Sequence, residues 1–284
     1  MAKREWHPGE LLELSGYFWK TCTLHAAVKL DVFSLIGEKQ LSGVKVAEKL
    51  DAAHRGVERL LNALVAMELL TKADDTYSNT PSSLEFLSKG SPKYLGHIIM
   101  HHYHLVESWS QLDQSIKSGQ PIRERSSFSK EEWRESFLMG MFNMAMSMAP
   151  LLVPRVDISS RRHLLDLGGG PGTYAIHFCR HNPGLTATVM DLPTTQPFAE
   201  ETIRSMGMEK RVTFVSGDYL KDRVAGHYDA VYMSHILHGE SEDGCRRIIQ
   251  KAFDCLNPGG VAIIHDFILG DTLDRPLFPA LFSL

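Results

Sequence analysis

The chain has 284 residues, 43% of them hydrophobic and 23% charged, a balance that allows a buried core and excludes a disordered, fibrous or collagen-like protein. Thirty Lys plus Arg against thirty-four Asp plus Glu leave a net charge of −4, so no global positive field recruits nucleic acid. Four cysteines (Cys22, Cys179, Cys245 and Cys255) show no C-x-x-C spacing, which gives no support to a disulfide framework or structural zinc and fits a reducing cytoplasm.

At the N-terminus, Glu10 and Glu13 interrupt Leu11, Leu12 and Leu14, so no signal peptide is expected. Ser42 is predicted to cap a short helix ending at Leu50. Asp51 is predicted to cap the next, in which Leu60, Leu61, Leu64, Val65 and Leu69 follow helical spacing. Residues 70–72 and 76–78 flank a turn at Ala73-Asp74-Asp75 and read as two short strands. Helix, helix, hairpin is the outline of a winged helix. Arg55 and Arg59 share the second helix with Glu58 and Glu68, so it lacks the basic stripe that DNA requires.

Helical patterns run over residues 94–117, break at Gly119-Gln120-Pro121, and resume from Lys130 towards Pro150. The adjacent histidines His101, His102 and His104 point to different helix faces and lack a carboxylate pair, so no metal site is predicted. Residues 136–154 carry no charge and are about as long as a membrane span. Gly140, Asn143, Ser147, Pro150 and Pro154 punctuate them, and five are Met (139, 141, 144, 146 and 148), the pattern of a buried interdomain helix rather than a membrane helix.

From Arg161 strands alternate with helices. Residues 163–165 lead into a glycine-rich turn, 186–190 end at Asp191, 212–215 at Gly217-Asp218, 230–233 precede His235, and 261–264 precede His265-Asp266. A helix over residues 241–256, stopped by Asn257-Pro258-Gly259-Gly260, is one of the crossovers. Five strands with crossover helices predict an α/β, doubly wound, mostly parallel Rossmann-like sheet, in which ligands sit outside the carboxyl ends of the strands.

The turn reads Asp166-Leu167-Gly168-Gly169-Gly170-Pro171-Gly172-Thr173. Gly170 to Ala175 also satisfies the dinucleotide pattern G-x-G-x-x-A, with Asp191 about 20 residues on, which keeps an NAD-dependent oxidoreductase as an alternative. Charge argues otherwise. A pyrophosphate requires N–H donors, whereas this turn opens with Asp166 and contains Pro171, which has none. S-adenosylmethionine carries an ammonium and a sulfonium and no phosphate, so it suits the acidic turn of Asp166, Gly168 and Gly170. Asp191 is placed to accept its ribose hydroxyls and Asp218 its adenine amino group, with Tyr219 packing nearby.

The run Leu164-Leu165-Asp166-Leu167-Gly168-Gly169-Gly170, then Asp191-Leu192-Pro193, Gly217-Asp218-Tyr219 and Met233 through His238, resembles the metal-independent small-molecule O-methyltransferases of the plant caffeate and acetylserotonin type and their bacterial relatives. The resemblance extends to Phe142-Asn143-Met144-Ala145-Met146. It implies cofactor contacts at Gly168, Asp191, Leu192, Asp218, Tyr219 and Ser234, the last replacing a Lys of many plant members. It also implies S-adenosylhomocysteine as product, His238 as general base, and Asp266 in place of a Glu that orients it. A free imidazole near pKa 6.5 facing a phenol near 10 is short by about 3.5 units, or about 4.8 kcal/mol, so such an orienting carboxylate and the neighbouring sulfonium have work to do.

Three domains follow as expectations: residues 1–105, a helical winged-helix dimerisation domain; 106–155, a helical linker with Trp109, Met139, Phe142 and Met146 lining the acceptor pocket; and 156–284, the cofactor-binding catalytic domain. The expected protein is a cytoplasmic homodimer that methylates a hydroxyl of a small, aromatic acceptor and binds neither nucleic acid nor membrane. Two departures stand out. Gly239-Glu240 follow His238 where relatives read Asp-Trp or His-Trp, and Leu284 precedes the last two strands such sheets carry and the family's second histidine-orienting Glu, so the catalytic domain reads as incomplete at its C-terminus. A relative that binds the cofactor without transferring methyl, whether hydroxylase-like, decarboxylase-like or non-catalytic, is the second alternative.

Overall fold

The computed structural model describes residues 5–122 and 131–284, which fall into two compact units, one of residues up to 110 together with 131–140, the other of 111–122 and 141–284. The first unit begins with helices α1 (Pro8–Lys29) and α2 (Val32–Ile36), strand β1 (Leu41–Ser42), and helices α3 (Gly43–Leu50) and α4 (His54–Ala66). The hairpin of β2 (Leu70–Ala73) and β3 (Thr76–Asn79) follows, then α5 (Pro81–Leu87) and α6 (Gly96–Trp109). Strand β1 pairs with β3 to complete a three-stranded antiparallel sheet, a pairing too short to leave a sequence pattern. Phe33, Ile36, Val46, Leu61, Leu64 and Tyr77 form this unit's core.

Ser42 caps α3 as expected, its Oγ accepting the Lys45 N–H at 3.3 Å. Asp51 does not cap α4. It ends α3 in the left-handed region at φ 49°, and Ala53 precedes α4 without a side-chain cap. Asp serves both roles, because its short polar side chain tolerates that conformation as well as an N-cap. The helical stretch predicted over 94–117 is two helices, because Ser110 and Gln111 separate α6 from α7 (Leu112–Ser118).

Helix α8 (Glu131–Leu152) runs through both units. With the turn to Arg155 it is, among the described residues, the one helix long and apolar enough to cross a membrane, and 33% of its most apolar window is buried. The helix expected to be buried is so along one stripe only: Leu138, Ala145 and Ala149 are buried, while Met144, Met148 and Leu151 are exposed.

The second unit continues with β4 (His163–Leu167), α9 (Thr173–His181), β5 (Thr186–Asp191), α10 (Gln196–Ser205), β6 (Val212–Ser216), β7 (Tyr228–Ser234), α11 (Glu242–Asp254), β8 (Leu256–His265) and α12 (Leu277–Phe282). The five strands form one parallel sheet in the order β6-β5-β4-β7-β8, with no helix between β6 and β7. Alternate residues of β4, β5 and β7 bury into opposite layers. Leu164, Ala187, Val189, Ala230 and Tyr232 pack with α9, and Leu165, Leu167, Met190, Val231 and Met233 pack with α11. Both faces of these central strands being covered, they are rich in apolar residues, whereas the edge strands β6 and β8 leave Val215 and Ile264 exposed. Strand order reverses between β4 and β7, the switch point that opens a crevice at the carboxyl ends.

Candidate active site

Asp166 follows Leu164 on the face of β4 that packs against α9, so the alternation that builds the core turns its carboxylate inward. Only 1% exposed, it accepts the Ala175 N–H of α9 on Oδ2 at 3.2 Å, and Oδ1 has no hydrogen-bond partner. Burial pushes its carboxyl up to about 7, helped by the charge of Asp191 and opposed by the Ala175 N–H. It underlies the glycine turn: a Cβ on Gly169 would stand 2.6 Å from its Cγ.

Gly168, at φ 70°, has no room for a side chain, since a Cβ would lie 2.6 Å from Ile236 and 3.2 Å from the Tyr219 ring. Gly170, at φ 54°, would direct a Cβ into open space, with nothing within 4 Å. Three N–H groups of this turn are already engaged. Gly168 donates to the Met190 carbonyl at 2.8 Å, Gly172 to that of Gly169 at 2.9 Å, and Gly170 to Asp191 Oδ2 at 2.8 Å. A pyrophosphate would find few donors left.

Asp191 closes β5 on the same face, its Oδ1 accepting from the Leu192 N–H at 2.7 Å and the Thr195 hydroxyl at 3.1 Å. Burial raises its pKa even so, against those bonds and that from Gly170. Asp218, after β6, is more open. Burial acts to raise its pKa, but the Leu220 N–H and the Lys221 ammonium, 3.1 Å from Oδ2, outweigh it and hold the group below the usual range.

On the other side of the switch point, β7 delivers Ser234, His235 and His238, and β8 delivers His265 and Asp266. The strands are paired here, Ser234 opposite His265, and the His235 N–H donates to the His265 carbonyl at 2.9 Å. Asp266 gathers the loop after β7: Oδ2 accepts the N–H groups of Leu237 at 3.0 Å and His238 at 3.3 Å, and Oδ1 that of Phe267 at 2.8 Å. The same Oδ1 lies 2.8 Å from His238 Nδ1 and 3.8 Å from His235 Nδ1, the latter ion-pair range rather than a hydrogen bond. Burial opposes ionisation of Asp266, yet the side chains of His235 and His238 and the Phe267 N–H outweigh it and hold the carboxyl far below its ordinary range.

An ionised Asp266 fixes the proton of neutral His238 on Nδ1 and leaves the Nε2 lone pair free. The His238 side chain is 26% exposed, with Phe282 edge-on at 4.9 Å and Phe267 at 5.6 Å between ring centroids.

Sequence reasoning placed His235 and His265 at strand ends without a role. His235 adopts φ 54°, rings with His265 and Phe267 at 4.6 and 4.5 Å, and leaves its buried Nδ1 without a hydrogen bond. His265 Nδ1 meets Tyr232 Oη at 2.9 Å and Ser234 Oγ at 3.2 Å, so Ser234 faces an imidazole. Of the candidate acceptor-pocket residues, Trp109 and Met139 belong to the first unit and Phe142 and Met146 to the second.

Residues 117–284 match the O-methyltransferase domain, and residues 12–89 match an O-methyltransferase dimerisation domain. A 3-hydroxy-5-methyl-1-naphthoate 3-O-methyltransferase from Streptomyces sahachiroi is 31% identical over 283 residues, covering 98% of this chain and 82% of that protein. The N,N-dimethyltransferase OxyT of Streptomyces rimosus is 30% identical, over 91% of this chain and 78% of its own. In fold, the chain is similar to human N-acetylserotonin methyltransferase in complex with SAM, at a TM-score of 0.85 and 24% identity, covering 99% of this chain and 86% of that one.

Proposed function

The chain belongs to the O-methyltransferase family, and from that premise we propose that it moves the methyl group of S-adenosylmethionine to a hydroxyl of a small aromatic acceptor, with His238 as general base and Asp266 as its positioning residue. The observation that carries this reading is the 2.8 Å contact between His238 Nδ1 and Asp266 Oδ1, held at the ends of adjacent strands. Nε2 takes the acceptor's proton, and the imidazolium that forms is stabilised by the ionised carboxylate. The Asp266 contact, expected with a side chain one methylene shorter than Glu, is made because the Leu237 and His238 N–H groups draw the loop onto the carboxylate.

S-adenosylmethionine, when bound, supplies a methyl group on a positively charged sulfur. The residues present suit it: the open side of Gly170, the unpartnered oxygen of Asp166 and the carboxylates of Asp191 and Asp218 favour a cationic, phosphate-free ligand. The same inventory of engaged N–H groups disfavours the nicotinamide alternative. Leu192, Tyr219 and Ser234 complete the proposed cofactor contacts, and we assign the acceptor's apolar body to Phe142 and Met146.

Purified protein with labelled cofactor and a panel of phenols should transfer label. His238→Ala should lose most transfer while binding S-adenosylhomocysteine unchanged by calorimetry, and equal turnover by the variant removes the base assignment. Transfer to nitrogen is the second reading, favoured by the N,N-dimethyltransferase relative. An amine arriving as ammonium also has to lose a proton, so His238 serves both, and a panel of aryl and alkyl amines separates them.

A homodimer formed through the first unit is part of the proposal. Helix α1 exposes Leu11, Leu12, Leu14, Tyr17, Phe18 and Trp19 within and beside the dimerisation match. Sedimentation at micromolar concentration should give a dimer, and a monomer contradicts it. The free thiols fit a cytoplasmic location.

A further inference from the structure

Among the described residues, one group of three or more His, Cys, Asp or Glu side chains brings its ligand atoms within 4.8 Å of one another: His235, His238 and Asp266. We propose that these three form a binding site for a divalent transition ion of the Zn2+ type, and that filling it switches off the base. The switching rests on His238 being the base, whereas the binding site does not.

Two imidazoles and a carboxylate are a donor set that zinc and its neighbours accept, leaving a fourth position for water. Bonds of about 2.0 to 2.1 Å in a tetrahedral shell put donors about 3.3 Å apart. The distances from Asp266 Oδ1, 2.8 Å to His238 Nδ1 and 3.8 Å to His235 Nδ1, bracket that value. The imidazoles are 27% and 26% exposed and the carboxylate 7%, while His235 Nδ1 itself is buried.

His235 is the least explained member. Its Nδ1 is buried without a hydrogen bond, and its backbone holds φ 54°, uncommon for any residue but glycine. A buried, unpaired nitrogen held 3.8 Å from a carboxylate oxygen points to a ligand between them. The proposed mechanism does not use it.

Binding balances without redox chemistry. The N–H bond at His238 Nδ1 breaks as the metal–nitrogen bond forms, and the proton is taken up at Nε2, so the imidazole stays neutral. That places a hydrogen where the lone pair of the base was, and the acceptor's proton has nowhere to go.

The test is titration of the purified protein with Co2+, which reports low-coordinate nitrogen and oxygen ligation by a visible absorption band, followed by displacement with Zn2+. One equivalent should raise the band. His235→Asn, which tolerates the left-handed backbone, should weaken Co2+ binding by about tenfold or more. His235→Phe, which keeps the stack between His265 and Phe267, should do the same and covers the case in which the Asn variant misfolds. In parallel, the rate with Zn2+ divided by the rate without it should be low in the native protein and near one in each variant, a ratio from which any change in basal rate cancels. No band in the native protein, or a band and a Zn2+ ratio unchanged by both variants, overturns the site. A band in a protein that methylates nothing sustains the site and sinks the function instead.

Discussion

The sheet carries two carboxylates at opposite sides of its switch point, the buried Asp166 under the glycine turn and the half-buried Asp266 beside His238, and their surroundings drive them in opposite directions. Asp166 has a single N–H at 3.2 Å and an oxygen with no partner, and burial lifts it to about 7. Asp266 is also shielded, but three N–H groups and two imidazoles surround it and hold it ionised. Burial alone therefore does not set the charge, and neither does the number of donors, since Asp191 accepts three hydrogen bonds and is still raised; what distinguishes Asp266 is the pair of imidazoles beside it. The first carboxylate is poised to meet a cation and the second to anchor a base.

The most severe way to break the ionised side is to remove what it holds. His238→Ala should lower kcat by roughly 10²- to 10⁴-fold, the usual worth of a positioned base, with calorimetric affinity for S-adenosylhomocysteine unchanged. Asp266→Asn should cost roughly 10- to 100-fold, because its amide donates to Nδ1 and pushes the proton onto Nε2, the wrong tautomer. If the Asn variant matches the native rate at every pH, Asp266 does not position His238.

On the other side, two glycines two residues apart, Gly168 and Gly170, separate folding from binding. Gly168→Ala meets Ile236 at 2.6 Å as well as a left-handed backbone, and should destabilise the protein by about 1 to 3 kcal/mol in chemical denaturation. Gly170→Ala meets nothing within 4 Å, so only its backbone term of about 1 kcal/mol remains, yet its methyl enters the open side of the turn. The Gly170 variant should therefore lose more cofactor affinity per unit of stability lost. The opposite ranking would place the cofactor elsewhere.

Much of this was legible in the residues. Apolar runs such as Leu164-Leu165 signal strands of the sheet core, and Asp191, Asp218 and Asp266 each lie at or just past the end of a β-branched-rich strand, which fixes their place at the carboxyl edge. The partnership of His238 with Asp266 was reached through resemblance, since spacing along the chain does not say that β7 and β8 are neighbours. His235 was visible as a strand-end residue, but its left-handed backbone and unpaired nitrogen are products of tertiary packing. The fate of the turn's N–H groups was hidden for the same reason, because Gly170 spends its own on a carboxylate that arrives with another strand. Asp51 misled because a local preference for caps does not distinguish the end of one helix from the start of the next.

The gentlest test addresses the neutral side directly. In the unfolded chain Asp166 ionises near 3.9, in the fold near 7, so a proton is bound more tightly in the native state. The stability this gives is complete below the unfolded value and is lost as the pH rises through the folded one. Between pH 6 and 8 the native protein should lose about 1.4 kcal/mol that Asp166→Asn, which has no proton to release, does not lose. Denaturant melts of both proteins without cofactor read the difference, which should flatten above pH 8 once both states are ionised. Curves that stay parallel across that range would mean that Asp166 keeps its charge beneath the turn, and that the contrast with Asp266 is one of position rather than of protonation.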